Sequence, residues 1–345
     1  MNPEQATVSA GACAAGAVPA EVLESVARLR SPVVVGHVVP DADALGSMLA
    51  LARAWTARNV KAKAALPHGS VSQRLTFLYD WAQVSVAGDH DFRAADGFVV
   101  VDAAKKDRCN VGAALKDTDW SGGRPVINID HHETNTRFGD VNWVASEAGS
   151  TAELIYRLLV FADWAIDPIT ASLLYAGIQT DTLGFSLPTT TPSALLAAGE
   201  LAARGARVGE LGEQLYHSLR QSEFDLLRVI YANTKTAARG RIAYSSASFE
   251  EIQAAGCTAA DIDDQINVPR SREGVRLAML FTEGRKGKTR INFRGSGRVT
   301  VLELAAEFGG GGHSQAAGAV LDCGLKEAIA KVLPRAEEHL KRFAE

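Results

Sequence analysis

Three short runs of apolar, largely β-branched residues constrain the fold of this chain more than any other feature. They are PVVVG at 32–36, GFVVV at 97–101 and VINI at 126–129. Strands without polar–apolar alternation are buried on both faces, which is typical of parallel sheets covered by helices. Helix-like segments separate the three runs, so the sequence predicts an α/β fold with a parallel sheet in its N-terminal part.

The chain is long enough for two domains. Its 345 residues exceed the roughly 100–200 residues of a typical domain. After residue 130 the pattern is mainly helical, including a predicted helical run from Val208 to about Ala238, and strand-like segments then return. We predict a flexible tail at 1–18, a first α/β domain at 19–218 and a smaller α/β domain at 219–345, with a cleft between the two domains.

The composition is that of a globular protein without a strong global charge. The chain is 47% hydrophobic and 22% charged, with a formal net charge of -4. Such a chain has no general attraction to nucleic acid, so long duplex DNA is a poor partner, whereas a short anionic ligand remains compatible. The four cysteines form no CxxC pair, which argues against a zinc ribbon or a disulfide framework. No apolar stretch reaches the roughly 18 residues of a membrane span, and residues 1–18 lack a secretory signal pattern. We therefore expect a cytoplasmic protein without a membrane partner.

Acidic and imidazole side chains follow each of the three apolar runs. They are His37, Asp41 and Asp43 after the first run, Asp102 after the second, and Asp130, His131 and His132 after the third. The carboxyl ends of parallel strands lie side by side, at the edge where open α/β sheets bind ligands. A further acid, Asp181, lies at the end of an apolar helix-like segment. Each segment alone also fits a bland interpretation as a helix cap or a polar turn.

A cluster of these carboxylates would require cations. Without a cation, neighbouring carboxylates repel one another and raise their own pKa values. Mixed imidazole and carboxylate ligands without thiolates favour Mn²⁺ over Ca²⁺, and Mg²⁺ usually keeps more waters and fewer histidines. Two ions about 3.5–4 Å apart form a hydrolytic centre for phosphate esters. The sequence has no G-x-S-x-G element for acyl transfer and no G-x-x-x-x-G-K-[ST] loop for an ATPase.

Taken together, the motifs resemble those of the DHH phosphoesterase superfamily. They are H-x-x-P-D-x-D at 37–43, the strand-end Asp102, Asp-His-His at 130–132 and T-D-T at 180–182. The segment FGGGGHSQAAG at 308–318 resembles the GGGGH…AAG motif of the substrate domain that accompanies this family. The resemblance covers nearly the whole chain after the tail. Length and the short linker favour the nanoRNase and pAp-phosphatase branch over RecJ-type exonucleases, which are longer, and over manganese-dependent pyrophosphatases, whose second domain differs.

The resemblance implies a division of labour among the ligands. One ion would be held by His37, Asp41 and Asp102, and the other by Asp43, Asp102, His131 and Asp181. Asp102 would bridge the two ions. Asp130 would orient His131, because metal-bound imidazoles usually need such a partner, and His132 would face the scissile phosphate or the leaving oxygen. The implied cofactor is a pair of Mn²⁺ ions, with Mg²⁺ or Co²⁺ as alternatives.

The resemblance also implies substrate contacts, mostly in the second domain. They are Gly310, Gly311, Gly312, His313 and Arg294. Arg298 is supplied by the same segment as Arg294, and Arg108 of the first domain could reach the cleft. Glycines allow close approach of the backbone to a nucleotide, and Arg294 can hold a phosphate bidentately. The glycines also fit a flexible loop before a helix. Two departures from the family pattern, Ala42 and Leu183, stand where glycine is common, which affects loop shape rather than ligand identity.

The function implied is hydrolysis of very short RNA oligonucleotides to mononucleotides, with 3′-phosphoadenosine 5′-phosphate (pAp) as a further substrate. The first domain would be catalytic and the second would bind substrate, with a homodimer compatible with the resemblance. One alternative is a phosphodiesterase for cyclic dinucleotides, acting on c-di-AMP or its linear product. Another alternative is a nucleotide-binding module without catalysis, which a missing ligand would reveal; none of the implied ligands is missing from the sequence.

Overall fold

The structure is a computed structural model that describes residues 17–66, 71–112, 115, 118–258 and 263–343. Residues 1–16, which form most of the predicted tail, lie outside the described residues. The chain divides into two compact units, Met1–His217 and Ser218–Glu345, called here the N-terminal unit and the C-terminal unit.

The N-terminal unit contains the predicted parallel sheet. Its strands are β1 (Val33–Val35), β2 (Lys63–Ala64), β3 (Phe98–Val101), β4 (Val126–Asp130) and β5 (Val141–Val144). Their order is β2-β1-β3-β4-β5, and every neighbouring pair is parallel. The sheet confirms the α/β prediction for this part of the chain.

Alternate residues of these strands enter two different cores, which explains why the strands lack a polar face. Val34, Val99 and Ile127 belong to one buried cluster, whereas Val33 and Val100 belong to another on the opposite face of the sheet. Helices cover the sheet and extend beyond it: α1 (Ala20–Arg28), α2 (Ala42–Ala57), α3 (Thr76–Ala82), α4 (Asp89–Ala94), α5 (Thr151–Phe161), α6 (Pro168–Asp181), α7 (Pro192–Ala203) and α8 (Val208–Gly212). Among the described residues, none of the helices combines the length and the apolar character needed to cross a membrane.

Helices α2 and α6 cross at a close distance because glycines occupy the crossing. A Cβ on Gly46 of α2 would overlap the carbonyl oxygen of Leu173 in α6. A Cβ on Gly177 of α6 would lie 2.7 Å from Oδ1 of Asp43 and 2.6 Å from the Cβ of Ala152. The absence of these two methyl groups lets α2, α5 and α6 pack together near the carboxyl end of the sheet.

The C-terminal unit is a second α/β structure with a mixed sheet. Its elements are α9 (Gln221–Ala232), β6 (Lys235–Ala237), β7 (Ile242–Ala247), α10 (Phe249–Ala254), α11 (Asn267–Arg270), β8 (Leu277–Arg285), β9 (Lys288–Gly295), α12 (Leu302–Ala306), β10 (Gly311–Gly312), β11 (Ala316–Leu321) and α13 (Leu325–Lys341). The strand order is β10-β11-β9-β8-β7-β6, in which β7 and β8 are parallel and the other neighbours are antiparallel.

The prediction of one helical run from Val208 to about Ala238 was wrong. The run contains α8, a π-helical turn at Glu213–His217, α9 and then the strand β6, which pairs with β7. The Lys-Thr-Ala segment gains backbone hydrogen bonds from β7 that the local pattern does not reveal. Ala238, Arg239 and Gly240 then have φ values of 50°, 59° and 84°, so the chain makes a sharp left-handed turn into β7.

Candidate metal centre

The carboxyl ends of β1, β3 and β4 meet the start of α2 and the end of α6 in the N-terminal unit. This convergence forms three groups of side chains whose potential ligand atoms lie within 4.8 Å of one another: His37 with Asp41 and Asp102, Asp43 with His131 and Asp181, and Asp102 with Asp130 and His132. The structure therefore brings together all six side chains that the resemblance implied as metal ligands, and it places the implied catalytic pair beside them.

The first donor set surrounds the ring of His37. Its Nε2 atom lies 3.7 Å from Oδ2 of Asp41 and 3.5 Å from Oδ2 of Asp102. The Nδ1 atom of the same ring lies 2.9 Å from the carbonyl oxygen of Val38. With Nδ1 donating to this carbonyl, Nε2 is left as the free nitrogen that faces the carboxylates, as in metal-binding imidazoles.

The second donor set surrounds the ring of His131. Its Nε2 atom lies 3.8 Å from Oδ2 of Asp43, 3.6 Å from Oδ1 of Asp102 and 3.4 Å from Oδ2 of Asp181. The Nδ1 atom lies 3.3 Å from the carbonyl oxygen of Ala148. Asp102 thus presents one carboxylate oxygen to each donor set, which is the geometry required of a bridging ligand.

Asp102 has an unusual backbone conformation. Its φ is 55°, in the left-handed region, and its side chain is only 2% exposed. Few residues other than glycine adopt this region, although Asp and Asn tolerate it better than most, and such residues concentrate at functional sites. Its amide donates to the carbonyl of Ile129 at 3.1 Å, and the hydroxyl of Thr151 donates to its Oδ1 at 3.0 Å. The strand therefore turns sharply at this residue while two neighbours hold it.

The N-terminus of α5 holds Asp43. The backbone amides of Thr151 and Ala152 donate to its two carboxylate oxygens at 2.7 and 2.8 Å. Unpaired amides of a first helical turn favour an anion at that position. Sequence reasoning missed this role. The Ser150-x-x-Glu153 pattern signals a helix start, and the amide of Glu153 does donate to Oγ of Ser150 at 3.1 Å. The pattern does not show which side chain the helix will face.

The expected role of Asp130 needs a correction. Its carboxylate binds the ring of His132 rather than that of His131, with Oδ1 at 2.8 Å from Nδ1 of His132. It contacts His131 through the backbone amide, at 2.9 Å. The side-chain amide of Asn135 donates to Oδ2 of Asp130 at 2.5 Å and to Oδ1 of Asn128 at 2.8 Å. Two adjacent histidines leave the strand in different directions, so their partners depend on the loop backbone. Asn135 was not predicted, because nothing in the local sequence marks it.

The acids of the centre differ in the direction of their pKa shifts. Burial raises the pKa of Asp43 well above its ordinary value, and the charges of Asp102 and Asp181 add to the increase. Burial also raises the pKa of Asp181, to about 6; the charge of His131 opposes this increase, and the charges of Asp41 and Asp102 add to it. These are the shifts expected when carboxylates are brought together in a buried place without a cation.

The pKa values of two imidazoles are raised by neighbouring carboxylates, in spite of burial. Burial lowers the pKa of His132, but the hydrogen bond and charge of Asp130 raise it to about 9. Burial likewise opposes the shift of Asp130, yet the hydrogen bond from His132 and its charge lower the pKa of this carboxyl to about 2. Burial also lowers the pKa of His37, but Asp102 and Asp41 raise it well above the usual value. His132 and Asp130 therefore form a charged pair at neutral pH.

The donor set fits a pair of divalent cations. Four carboxylates and two imidazole nitrogens converge here, and the pKa values of Asp43 and Asp181 are raised by burial and by the charges of neighbouring acids, both of which a cation offsets. Oxygen and nitrogen donors without thiolates suit Mn²⁺ and Mg²⁺ better than softer-ligand metals.

Replacing Asp181 by asparagine is expected to stabilise the metal-free protein at neutral pH. Because the pKa of Asp181 in the folded protein, about 6, exceeds that of an unfolded chain, its contribution to stability is present below about pH 4 and is lost as the pH rises through about 6. The variant should be more stable than the original at pH 7.5, on the order of 1 kcal/mol after allowance for partial exposure, and nearly equal at pH 4. Urea unfolding with a chelator at the two pH values measures this. A stability difference that does not change with pH would contradict the charge assignment.

The implied substrate residues lie in both units. Arg108 is exposed at the end of a 3₁₀ turn, and its carbonyl accepts the amide of Val38, which places it beside the His37 segment. In the C-terminal unit, Arg294 lies on β9 opposite Ala316 of β11 and is partly buried. Arg298 is exposed in the turn that follows β9.

The glycine segment is a short edge strand rather than a free loop. Gly311 and Gly312 form β10, which pairs with β11, and His313 follows it. A Cβ on Gly310 would overlap the carbonyl oxygen of Gly318, and Gly312 has a φ of 137°. Close strand packing therefore requires glycine at 310 and 312, independently of any ligand. This finding corrects the alternative of a flexible loop before a helix.

Two protein-family models match most of the chain. A model of the N-terminal domain of the DHH family matches residues 32–178, and a model of the DHHA1 domain matches residues 240–342. A Thermus thermophilus protein, a bifunctional oligoribonuclease and PAP phosphatase, is 32% identical over 94% of this chain and 94% of its own length. The chain belongs to the DHH family. As a DHH-family protein it is a metal-dependent phosphoesterase.

Other relatives agree with the assignment to the DHH family. A Bacillus subtilis protein with the same description is 28% identical over 87% of this chain and 92% of its own length. Among solved structures, an exopolyphosphatase-related protein from Bacteroides fragilis superposes with a TM-score of 0.81 at 24% identity, covering 95% of this chain and 99% of that one. That likeness confirms the fold of this DHH-family chain.

Proposed function

We propose that this DHH-family enzyme hydrolyses very short RNA oligonucleotides to mononucleotides and removes a phosphate from pAp to give AMP. The observation that carries the proposal is the pair of donor sets that share Asp102. The relatives from Thermus thermophilus and Bacillus subtilis, described as bifunctional oligoribonucleases and PAP phosphatases, support the substrate class. Mn²⁺ is the proposed ion for both positions, with Mg²⁺ and Co²⁺ as alternatives.

The six implied ligands would hold the ions: His37, Asp41 and Asp102 in one set, and Asp43, Asp102, His131 and Asp181 in the other. Two bound divalent ions supply a nucleophile at neutral pH and offset negative charge on the phosphate. The α5 amides and the Thr151 hydroxyl would keep the carboxylates of Asp43 and Asp102 in position for binding the ions. Asn135 does the same for Asp130.

His132 is the proposed proton donor. Its Nδ1 is held by Asp130, and its pKa of about 9 keeps the ring protonated at neutral pH. The remaining ring nitrogen, Nε2, therefore carries a proton that can stabilise charge on the phosphate or pass to the leaving oxygen. The ring is 24% exposed, in contrast to the 4% exposure of His131, so substrate can reach it. In the C-terminal unit, Arg294, Arg298 and His313 are proposed to hold the nucleotide end.

A cytoplasmic location, a homodimer and the absence of binding to long duplex DNA belong to the same proposal. The mild net charge of -4 and the family relation support them. Light scattering of the purified chain measures the oligomeric state, and a gel-shift assay with a long duplex measures DNA binding.

A substrate panel tests the function. Purified protein with Mn²⁺, Mg²⁺ or Co²⁺ would be given RNA dimers to pentamers, pAp, cyclic and linear dinucleotides, and pyrophosphate, with product formation followed by chromatography. We expect turnover of short RNA and of pAp, and the fastest turnover with Mn²⁺. Preference for c-di-AMP or its linear product over both substrates would replace the proposal by the cyclic-dinucleotide alternative. No turnover of any compound, with metal bound, would make the chain a binding module.

A further inference from the structure

Four exposed arginines lie at one end of the mixed sheet in the C-terminal unit and form what we call the basic rim: Arg239, Arg241, Arg272 and Arg276. The first two lie in the turn before β7, and the other two lie in the segment before β8. Because β7 and β8 are parallel neighbours, both pairs emerge at the same end of the sheet. None of the four belongs to the implied ligand or substrate residues.

Backbone hydrogen bonds connect the basic rim to the segment after β10. The amide of Arg276 donates to the carbonyl of Arg241 at 2.8 Å, and the amide of Ser296 donates to the carbonyl of Arg276 at 3.0 Å. The amide of Gly295 donates to the carbonyl of Gln315 at 2.9 Å. The row crosses β7, β8, β9 and β11, or about 15 Å at the usual spacing between strands. It ends beside His313, where the nucleotide end is proposed to bind.

Two of the guanidinium groups lie against glycine backbone. The Nη2 atom of Arg276 is 3.4 Å from the position that a Cβ on Gly297 would take, and the Nη1 atom of Arg272 is 3.4 Å from the corresponding position on Gly240. At these distances both guanidinium groups lie over the glycine turns, within ordinary packing contact. Groups held in this way lose less side-chain entropy when they bind a ligand.

The charge of this end contrasts with that of the whole chain. Segments 238–241, 271–276, 295–299 and 313–316 contain five arginines and one carboxylate, Glu273, in a chain of net charge -4. In the part of the chain that the structure describes, no ion pair is recorded for any arginine of the basic rim. The positive charge is therefore concentrated here and available to an anion.

We propose that the basic rim binds backbone phosphates of a single-stranded RNA whose terminal nucleotide lies at the segment after β10. Guanidinium groups bind phosphates bidentately, and contacts to the backbone need no particular base. Oligomers of four or five nucleotides reach the rim, whereas pAp does not. The inference rests on the proposed function for its choice of RNA, and it explains how an acidic chain holds a polyanion.

The test compares two double variants of the full chain with Mn²⁺. Arg272→Ala/Arg276→Ala removes half of the rim, and Arg285→Ala/Lys326→Ala removes two exposed charges from the opposite end of the same sheet. We expect the first variant to raise the KM for an RNA pentamer about 5- to 10-fold and to lower the salt dependence of log KM by about 1.4, at roughly 0.7 per lost phosphate contact. The ratio of pentamer KM to pAp KM should rise by the same 5- to 10-fold. The opposite-end variant should stay within about 2-fold of the original protein for both substrates.

Direct binding separates this inference from the proposed function. Fluorescence anisotropy with a labelled phosphorothioate RNA pentamer measures affinity without turnover. Rim-dependent binding in a protein that hydrolyses no substrate would overturn the proposed function and uphold the rim. Robust hydrolysis with an unchanged pentamer KM in the rim variant would overturn the rim alone. An equal rise in KM for pAp and for the pentamer, or an equal effect of the opposite-end variant, would also overturn it.

Discussion

Replacing Asp102 by asparagine should reduce kcat/KM for an RNA dimer by at least about 10³-fold, because the carboxylate shared by both donor sets is lost and two-ion catalysis contributes several kcal/mol. Asparagine tolerates the left-handed φ of 55° at this position, and its side-chain oxygen can still accept the Thr151 hydroxyl. Alanine would add backbone strain to the loss of charge. Isothermal titration with Mn²⁺ should show a lower stoichiometry or affinity in the variant.

Asp163→Asn is the matched control. Asp163 is an exposed residue of the same unit with a φ of 54°, and it lies outside the three side-chain groups of the centre. The same chemical change at the same backbone conformation should leave kcat/KM within about 2-fold, as is usual for surface substitutions. Full activity and full metal content in Asp102→Asn, with circular dichroism unchanged, would refute the bridging role.

Substitutions of the two adjacent histidines, His131 and His132, should cause different defects. His131→Ala should weaken Mn²⁺ binding by more than about 10-fold, because its Nε2 faces three carboxylates. His132→Ala should lower kcat by roughly 10²- to 10⁴-fold, the range for loss of general acid catalysis, while Mn²⁺ affinity stays within about 3-fold. Paired metal titrations and steady-state kinetics separate the two outcomes.

His90→Ala is the control for loss of a histidine outside the centre, since His90 is 88% exposed on α4. Metal affinity and kcat should not change in this variant. If His132→Ala disturbs folding by leaving Asp130 without its partner, His132→Gln keeps a polar side chain of similar length for the same measurement. Loss of metal in His132→Ala, or retained metal with slow turnover in His131→Ala, would reverse the roles assigned here.

The proximity of the proposed metal ligands was predictable from the sequence because the carboxyl ends of parallel strands lie along one edge of the sheet. Asp102 and Asp130 each follow a short apolar run, so their proximity needed no long-range information. The hydrogen bonds from the first amides of α5 to Asp43 could not be predicted, since they join residues more than one hundred positions apart. The orientation of His132 toward Asp130 likewise depends on loop dihedral angles that no local pattern encodes.

Short strands were the other limit of sequence reasoning. The segments that form β10 and β11 are rich in glycine and alanine and carry few β-branched residues, so their strand state comes from pairing with each other and with β9. The strand β6 was assigned to a helix for the same reason. The predicted strands β1, β3 and β4, in contrast, were identified because burial on both faces demands an apolar composition.

Gly177 contributes no donor atom, yet it sets how closely α6 approaches the carboxylate of Asp43. A methyl group at this position would lie 2.7 Å from Oδ1 of Asp43 and widen the opening between Asp43 and the proposed ligand Asp181 at the end of the same helix. Mg²⁺ takes ligands at about 2.0–2.1 Å and Ca²⁺ at about 2.3–2.6 Å, so a shift of a few tenths of an ångström separates one ion size from the other. If the centre holds ions as proposed, its preference among them depends on the packing of α2 against α6 as well as on the ligands.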